Sequence, residues 1–323
     1  MKKIYYIIIG LIIVIGSIFM FIKTNNKNTN LTTIKVAEVT HSAFYTPFYI
    51  AIKNNYFKDN NIDIDLILTS GANNVIAAVL SKDVDIGLCG PEATIYVYNE
   101  GEKDYIKTFA GLTKRDGQFI VSRTKIDNFK LEDLIGKEVL GGRPGGMPII
   151  NFYNALKNEN IKGVNTNDTV DFANLTSAFL SGTGDFVNLF EPNATKIEKM
   201  NKGYVVASVG MYAGEVPYTA FNARTSYIEN NKELINNFKD AINKGLKFTK
   251  NNDSKDIAKI IIDLFPNTSI EDLTTIIERY KNADSWLDNT FITEEMFKNL
   301  EDMMIDSKLL TEYVSYKDLI INE

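Results

Sequence analysis

A chain that holds one histidine, His41, and one cysteine, Cys89, among 323 residues can support very little nucleophilic or metal chemistry. A lone cysteine excludes an intramolecular disulfide, and the pair falls short of the usual zinc ligand sets. Any Ser-His or Cys-His catalytic arrangement would have to be built on His41 itself. What the sequence does offer is binding chemistry. Arg143 stands in the run Gly141-Gly142-Arg143-Pro144-Gly145-Gly146, followed by Met147 and Pro148. Glycines let the backbone approach a ligand closely, and a guanidinium adds a planar cationic fork that suits an anion. The run is neither a Walker loop, since no Gly-Lys-Ser/Thr follows, nor a dinucleotide fingerprint, since the glycine spacing is wrong. Glu92, in Cys89-Gly90-Pro91-Glu92, and Glu191, in Phe190-Glu191-Pro192-Asn193, lie at helix mouths. Each either complements the helix dipole or accepts hydrogen bonds from a ligand's N–H or O–H groups. His41, Phe44 and Tyr45 together offer a hydrogen-bonding and stacking wall. Cys89, short and flanked by apolar residues, reads as a packed thiol.

Proline placement shows what positions these groups. Four of the seven prolines, Pro47, Pro91, Pro148 and Pro192, follow an expected strand and open an expected helix. Proline suits the first helical position because its missing amide hydrogen would be unpaired there anyway. In open α/β sheets the carboxyl ends of the strands are where ligands bind, and free helix amides favour anions. The surrounding pattern fits this reading. Short apolar runs at 34–39, 62–68, 85–88, 119–122, 137–140, 169–172, 185–189 and 218–223 are expected strands. Amphipathic stretches at 47–57, 74–80, 91–99, 148–157, 175–180 and 192–200 are expected helices, and the chain after 223 is mostly helical, at 231–250, 254–264, 270–281 and 293–309. The fold class is therefore α/β, arranged as two blocks. Asp116 and the segment Tyr212 to Tyr218 fall where the chain should cross between blocks, and Trp286 reads as packing in the helical region.

Hydrophobic residues make up 45% of the chain and charged residues 24%, the balance of a globular protein with a real core. The net charge of -6, with no basic cluster, argues against a nucleic-acid partner. Lys2 and Lys3 precede an apolar run of nineteen residues, Ile4 to Ile22, which leads into a polar spacer at 23–30. That length is just enough to cross a bilayer and long for a signal-peptide core, and no small-residue cleavage signature follows. An uncleaved membrane anchor is the favoured reading and a cleaved signal peptide the alternative. Either way the body is exported or membrane-attached.

The segment Pro47-Phe-Tyr-Ile-Ala-Ile-Lys-Asn-Asn-Tyr-Phe-Lys58, followed by Asn61-Ile-Asp-Ile-Asp-Leu66, resembles the opening of the substrate-binding subunits of ABC importers for sulfonates, nitrate, taurine and thiamine precursors. The resemblance continues through Gly71-Ala72, Leu80-Ser-Lys-Asp-Val-Asp-Ile-Gly87, Leu134-Ile-Gly-Lys-Glu-Val139 and Glu191-Pro192, and covers roughly 34–314. Asn55, Asn60 and Asn61 stand where that family has glycines. No lipobox cysteine is present, which implies tethering by a helix. The resemblance implies a type II periplasmic-binding-protein fold, with lobe 1 at 31–114 plus 219–323 and lobe 2 at 115–218. It implies a ligand site between the lobes formed by His41, Phe44, Tyr45, Gly71, Ala72, Cys89, Gly90, Glu92, Arg143, Gly145, Gly146, Met147 and Glu191. The implied role is a monomeric solute-binding subunit working with an ABC permease and ATPase, without a cofactor, and with its body on the extracytoplasmic side. A pyrimidine-synthase-like enzyme on the same fold would need more His and Cys than this chain has, and a membrane-anchored sensory domain would need a signalling partner. Arg143 favours an aliphatic sulfonate or taurine-like anion as ligand; Glu92, Glu191, His41 and the aromatics favour a thiamine-precursor pyrimidine or similar nitrogen heterocycle.

Overall fold

The computed structural model describes residues 31–69, 71–142 and 144–322. Strands β1 (Thr32–Glu38), β2 (Ile62–Leu68), β3 (Ile86–Cys89) and β4 (Ile106–Thr113) alternate with helices α1 (Thr46–Lys53), α2 (Tyr56–Asp59), α3 (Ala72–Leu80) and α4 (Glu92–Asn99). A second block comprises β5 (Phe119–Ser122), β6 (Glu138–Leu140), α5 (Met147–Asn158), β7 (Asn165–Asn167), α6 (Leu175–Leu180), β8 (Phe186–Leu189), α7 (Asn193–Lys199), β9 (Tyr204–Ser208) and α8 (Val209–Ala213). The chain then returns through β10 (Thr219–Arg224). Helices α9 (Thr225–Asn230), α10 (Lys232–Asn251), α11 (Ser254–Ile261), α12 (Ile270–Asn282), α13 (Glu294–Asp306) and α14 (Tyr316–Leu319) follow it.

Among the described residues, ten strands form two five-stranded sheets, ordered β2-β1-β3-β10-β4 and β7-β6-β8-β5-β9. The plan repeats. Parallel pairing joins β1 to β3 and β6 to both β7 and β8, while β10 and β5 each run antiparallel between two neighbours. The chain enters β5 and β10 directly after crossing from one sheet to the other. The two crossings lie side by side, with Val216 N donating to Lys114 O at 3.0 Å and Tyr218 N to Thr113 O at 3.2 Å. Strands buried on both faces read as unbroken apolar runs, and every residue of β3, β5 and β8 is buried.

Packing fixes the helical layer. Phe48, Phe57, Phe109, Phe221 and Phe238 interlock beside the first sheet, with ring centroids 4.9–6.5 Å apart. Helix α10 lies so close to α1 that a Cβ on Gly245 would sit 2.1 Å from the Pro47 carbonyl oxygen. Helix α13 reaches across to α5 of the other block.

Some local expectations need correction. The helix expected over 47–57 breaks at Asn54, because Asn55 adopts a left-handed φ of 61° and starts a new turn. No strand forms at 169–172; the edge strand is Asn165–Asn167, a polar segment held by its register on β6. Strands β4 and β9 were not anticipated. Pro47 and Pro148 lie in the first turn of their helices, whereas Pro91 and Pro192 occupy the N-cap. Among the described residues no helix is long and apolar enough to cross a membrane, and the run Ile4 to Ile22 lies outside them.

Candidate functional site

The turns that follow β1, β2, β3, β6 and β8 line one cavity of about 780 Å³. His41, Phe44, Tyr45, Gly71, Ala72, Cys89, Gly90, Glu92, Gly145, Gly146, Met147 and Glu191 all contribute to its wall. Arg143 lies outside the described residues. No Lys or Arg is among the described residues of the lining.

The first turn is held from behind. The His41 Nδ1 is 2.8 Å from Glu38 Oε1, and Nε2 is 3.0 Å from the Leu264 carbonyl oxygen. A carbonyl oxygen only accepts, so Nε2 donates to Leu264, and the carboxyl group beside Nδ1 favours the protonated ring. The hydrogen bond to Glu38 is the main reason its pKa is raised. Tyr49 donates to Glu38 Oε2 at 2.6 Å, and the His41 ring stacks on Phe265. The expected hydrogen-bonding role of His41 toward a ligand is therefore corrected: its nitrogens are committed inside the protein, and it offers the cavity only ring surface.

Phe44 forms the floor. Its ring packs against Phe190, Tyr218 and Tyr280, and a Cβ on Gly117 would lie 2.7 Å from it, so residue 117 of the first crossing must be glycine. The Trp286 indole donates to the Phe44 carbonyl at 2.8 Å, which places Trp286 beneath the site. Tyr45 is buried, and its hydroxyl pKa is pushed up by desolvation. Ser42 Oγ donates to the Glu191 carbonyl at 3.3 Å, joining a turn of the first sheet to one of the second.

Three glycines in the lining carry positive φ where a side chain would be strained: Gly71, at 87°, caps α3, and Gly142, at 85°, and Gly145, at 84°, precede α5. Cys89 is fully packed, its thiol 3.5 Å from Asn222 Nδ2 and its pKa raised by burial, so it is inert. Glu92, at the start of α4, is 8% exposed. Its Oε2 is buried without a hydrogen-bond partner, and burial pushes its carboxyl up to about 7.

Glu191 is a second correction. It lines the cavity through its backbone, in a cis peptide with Pro192. Its carboxylate instead accepts from Thr195 N and Thr195 Oγ1 at 2.9 Å each and from Arg279 Nη1 at 2.8 Å. Arg279 also donates to Thr195 Oγ1 at 2.8 Å and pairs with Glu198. With that side chain sealed, at 0% exposure, its carboxylate serves these internal partners rather than a solute.

Sequence reasoning missed several groups here. Tyr96, one helical turn after Glu92, was legible from its i+4 spacing. Phe172, at the rim and 45% exposed, packs edge-on against Phe190 at 5.7 Å. Thr219 lines the wall from the return crossing, just beyond the segment singled out from the sequence. Arg279 sits late in the chain, and no local signal pointed to it.

The family model described as NMT1/THI5 like matches residues 43–255. The chain belongs to that family. YtlA of Bacillus subtilis (strain 168), named as a candidate binding protein, is 39% identical over 314 residues, 96% of this chain and 94% of its own. Solved structures with the same fold include the periplasmic aliphatic sulphonate binding protein SsuA from Escherichia coli. It has a TM-score of 0.69 and 14% identity, covering 88% of this chain and 96% of that one. The nitrate-binding protein NrtA from Synechocystis PCC 6803 has a TM-score of 0.58 and 17% identity, covering 83% and 75%. The family member described here thus has the two-sheet periplasmic-binding-protein fold.

Proposed function

We propose that this chain is the solute-binding subunit of an ABC uptake transporter and captures a small organic ligand between two lobes. The observation that carries the reading is the convergence of turns from the carboxyl ends of strands in both sheets on one cavity, in a member of a family of binding proteins. The lobes are taken as 31–114 plus 219–323 and 115–218, hinged where the chain crosses at 114–119 and 213–219. The partners are a permease and an ATPase that recognise the closed form. The run Ile4 to Ile22 tethers the body on the extracytoplasmic face of the membrane. The chain is not an enzyme in this reading, because Cys89 and His41 are both committed to packing or to internal hydrogen bonds.

The favoured ligand is a small sulfonate-like anion, with its head group against the starts of α3 and α5, whose first amides have no partner within the helix. The second reading is a nitrogen heterocycle of the thiamine-precursor type, favoured by the unpartnered Oε2 of Glu92 and by the Tyr45, Tyr96 and Tyr218 rings. Hinge closure on ligand runs over microseconds to milliseconds. Small-angle scattering of the full-length chain, titrated with 2-aminoethanesulfonate and with 4-amino-2-methylpyrimidine, tests both readings. The radius of gyration should fall as the cognate class saturates the cleft. An unchanged radius at calorimetrically proven saturation would refute capture by closure.

A further inference from the structure

Resting on the reading of the cleft as a solute site, we propose that Glu92 is its specificity-determining residue: it requires the bound solute to present a cationic nitrogen or N–H donor, and it releases a proton as that solute binds.

The first support is construction. A Cβ on Gly90 would lie 1.9 Å from Glu92 Oε2 and 2.7 Å from its Cδ. Glycine at that position leaves room for the carboxyl group to fold back over the turn at the cavity wall. Any side chain at 90 would expel it.

The second support is the absence of a counter-charge among the described residues. The groups that face Glu92 are Tyr45 on the first turn, Cys89 at the end of β3, Tyr96 one turn along α4 and Tyr218 on the return crossing. All four are neutral, since each has its own dissociation pushed up, chiefly by burial. The one basic group in the described lining, His41, has both nitrogens engaged elsewhere. Burial raises the Glu92 carboxyl further than its own backbone amide lowers it, and no cation among the described residues draws it back down. A buried ionised carboxylate without a partner is costly, so the empty cleft keeps the proton near neutral pH.

A carboxyl group is informative here because a neutral side chain would serve an anion equally well at every pH. Only a carboxylate gains from a cation. Capture is then an exchange: the Glu92 O–H bond breaks, the proton goes to solvent, and the freed carboxylate accepts a charge-assisted hydrogen bond from the solute nitrogen. The opposite case has the opposite sign. If protonated Glu92 donated to an anion, binding would take up a proton and strengthen on acidification.

The test is calorimetry on the full-length chain with matched probes. These are 2-aminoethanesulfonate against ethanesulfonate, and 4-amino-2-methylpyrimidine against 2-methylpyrimidine, at about pH 6 and about pH 8 in buffers of different ionisation heat. The amino member of the binding pair should bind roughly tenfold tighter at the higher pH and release a proton, and should beat its partner by at least about tenfold. Glu92→Gln should erase both the preference and the pH dependence. Gly90→Ala, which displaces the carboxyl, should do the same; if either variant fails to fold, the sign of proton exchange in the unmodified chain still decides. Proton uptake on binding, equal affinity within the pair, or a preference that survives Glu92→Gln overturns the proposal. Binding of none of the four probes overturns the ligand classes on which it rests, and so the two failures are distinguishable.

Discussion

Replacing Arg279 with alanine should cost far more than its partly exposed position suggests. Arg279 leaves 19% of its side chain exposed, but its main partner, Glu191, is sealed, with 0% of its side chain accessible. Removing one member of a buried pair leaves an uncompensated charge and costs about 3–5 kcal/mol. The Thr195 amide and hydroxyl would still solvate the orphaned carboxylate, which places the loss near the lower end, about 3 kcal/mol. Loss of the Glu198 contact, whose side chain is 31% exposed, adds less than about 1 kcal/mol. Denaturant unfolding of the full-length chain and of Arg279→Ala measures the sum. The decisive comparison is a cycle with Glu191→Gln: once the carboxylate is gone, the same arginine removal should cost only about 1 kcal/mol, giving a coupling of roughly 2 kcal/mol. A loss below about 1 kcal/mol in the unmodified background, or no coupling to Glu191, would refute the buried-pair reasoning. The network joins α12 to α7, which follow strands of different sheets, so the variant should also loosen one sheet relative to the other.

Two further predictions test other parts of the chain. Asp116 on the first crossing is fully buried, and burial pushes its carboxyl up to about 8, only partly offset by the Gln118 amide that donates to it at 2.6 Å. Because the native state holds this proton more tightly than the unfolded chain, its stabilising contribution is complete below about pH 4 and is lost as pH rises through about 8. Asp116→Asn should flatten that part of a plot of unfolding free energy against pH by an amount on the order of several kcal/mol, and parallel curves for both proteins would contradict it. The apolar run Ile4 to Ile22 should keep the chain with membranes at unprocessed mass, and a mature N-terminus mapped within 24–32 would defeat the anchor.

Most of what positions the site could be read from the residues, because it depends on local chemistry. Prolines at helix starts, glycines in turns and apolar runs of strand length are all short-range signals, and the turns they mark do line one cavity. The errors arose where the deciding partner lies far away in sequence. Nothing near Glu191 announces Arg279, 88 residues on, and nothing near His41 announces Leu264, 223 residues on. The roles expected of those two side chains changed for that reason, even though their backbones line the cavity. Strand β7 fails in the same way: Asn165–Asn167 has no intrinsic strand preference and is imposed by pairing with β6. Strand β4 was hidden because Lys107, Thr108 and Gly111 interrupt its apolar pattern, although the ladder to β10 buries most of it. Cys89 was read correctly because a thiol with apolar neighbours needs no distant information.

The place of β10 between β3 and β4 has a consequence for how the polypeptide reaches its native state. The first sheet lacks its fourth strand until residue 224 is available, by which point the whole second sheet has already emerged. During synthesis or vectorial translocation, β3 and β4 must therefore wait with unpaired edges while the second sheet completes itself from contiguous chain. Such gaps invite non-native strand pairing, and closing them by a long-range contact is slow. The second sheet should thus be the earlier and more autonomous folding unit. Assembly of the first sheet is then the step at which the nascent chain is most exposed to aggregation and to proteolysis.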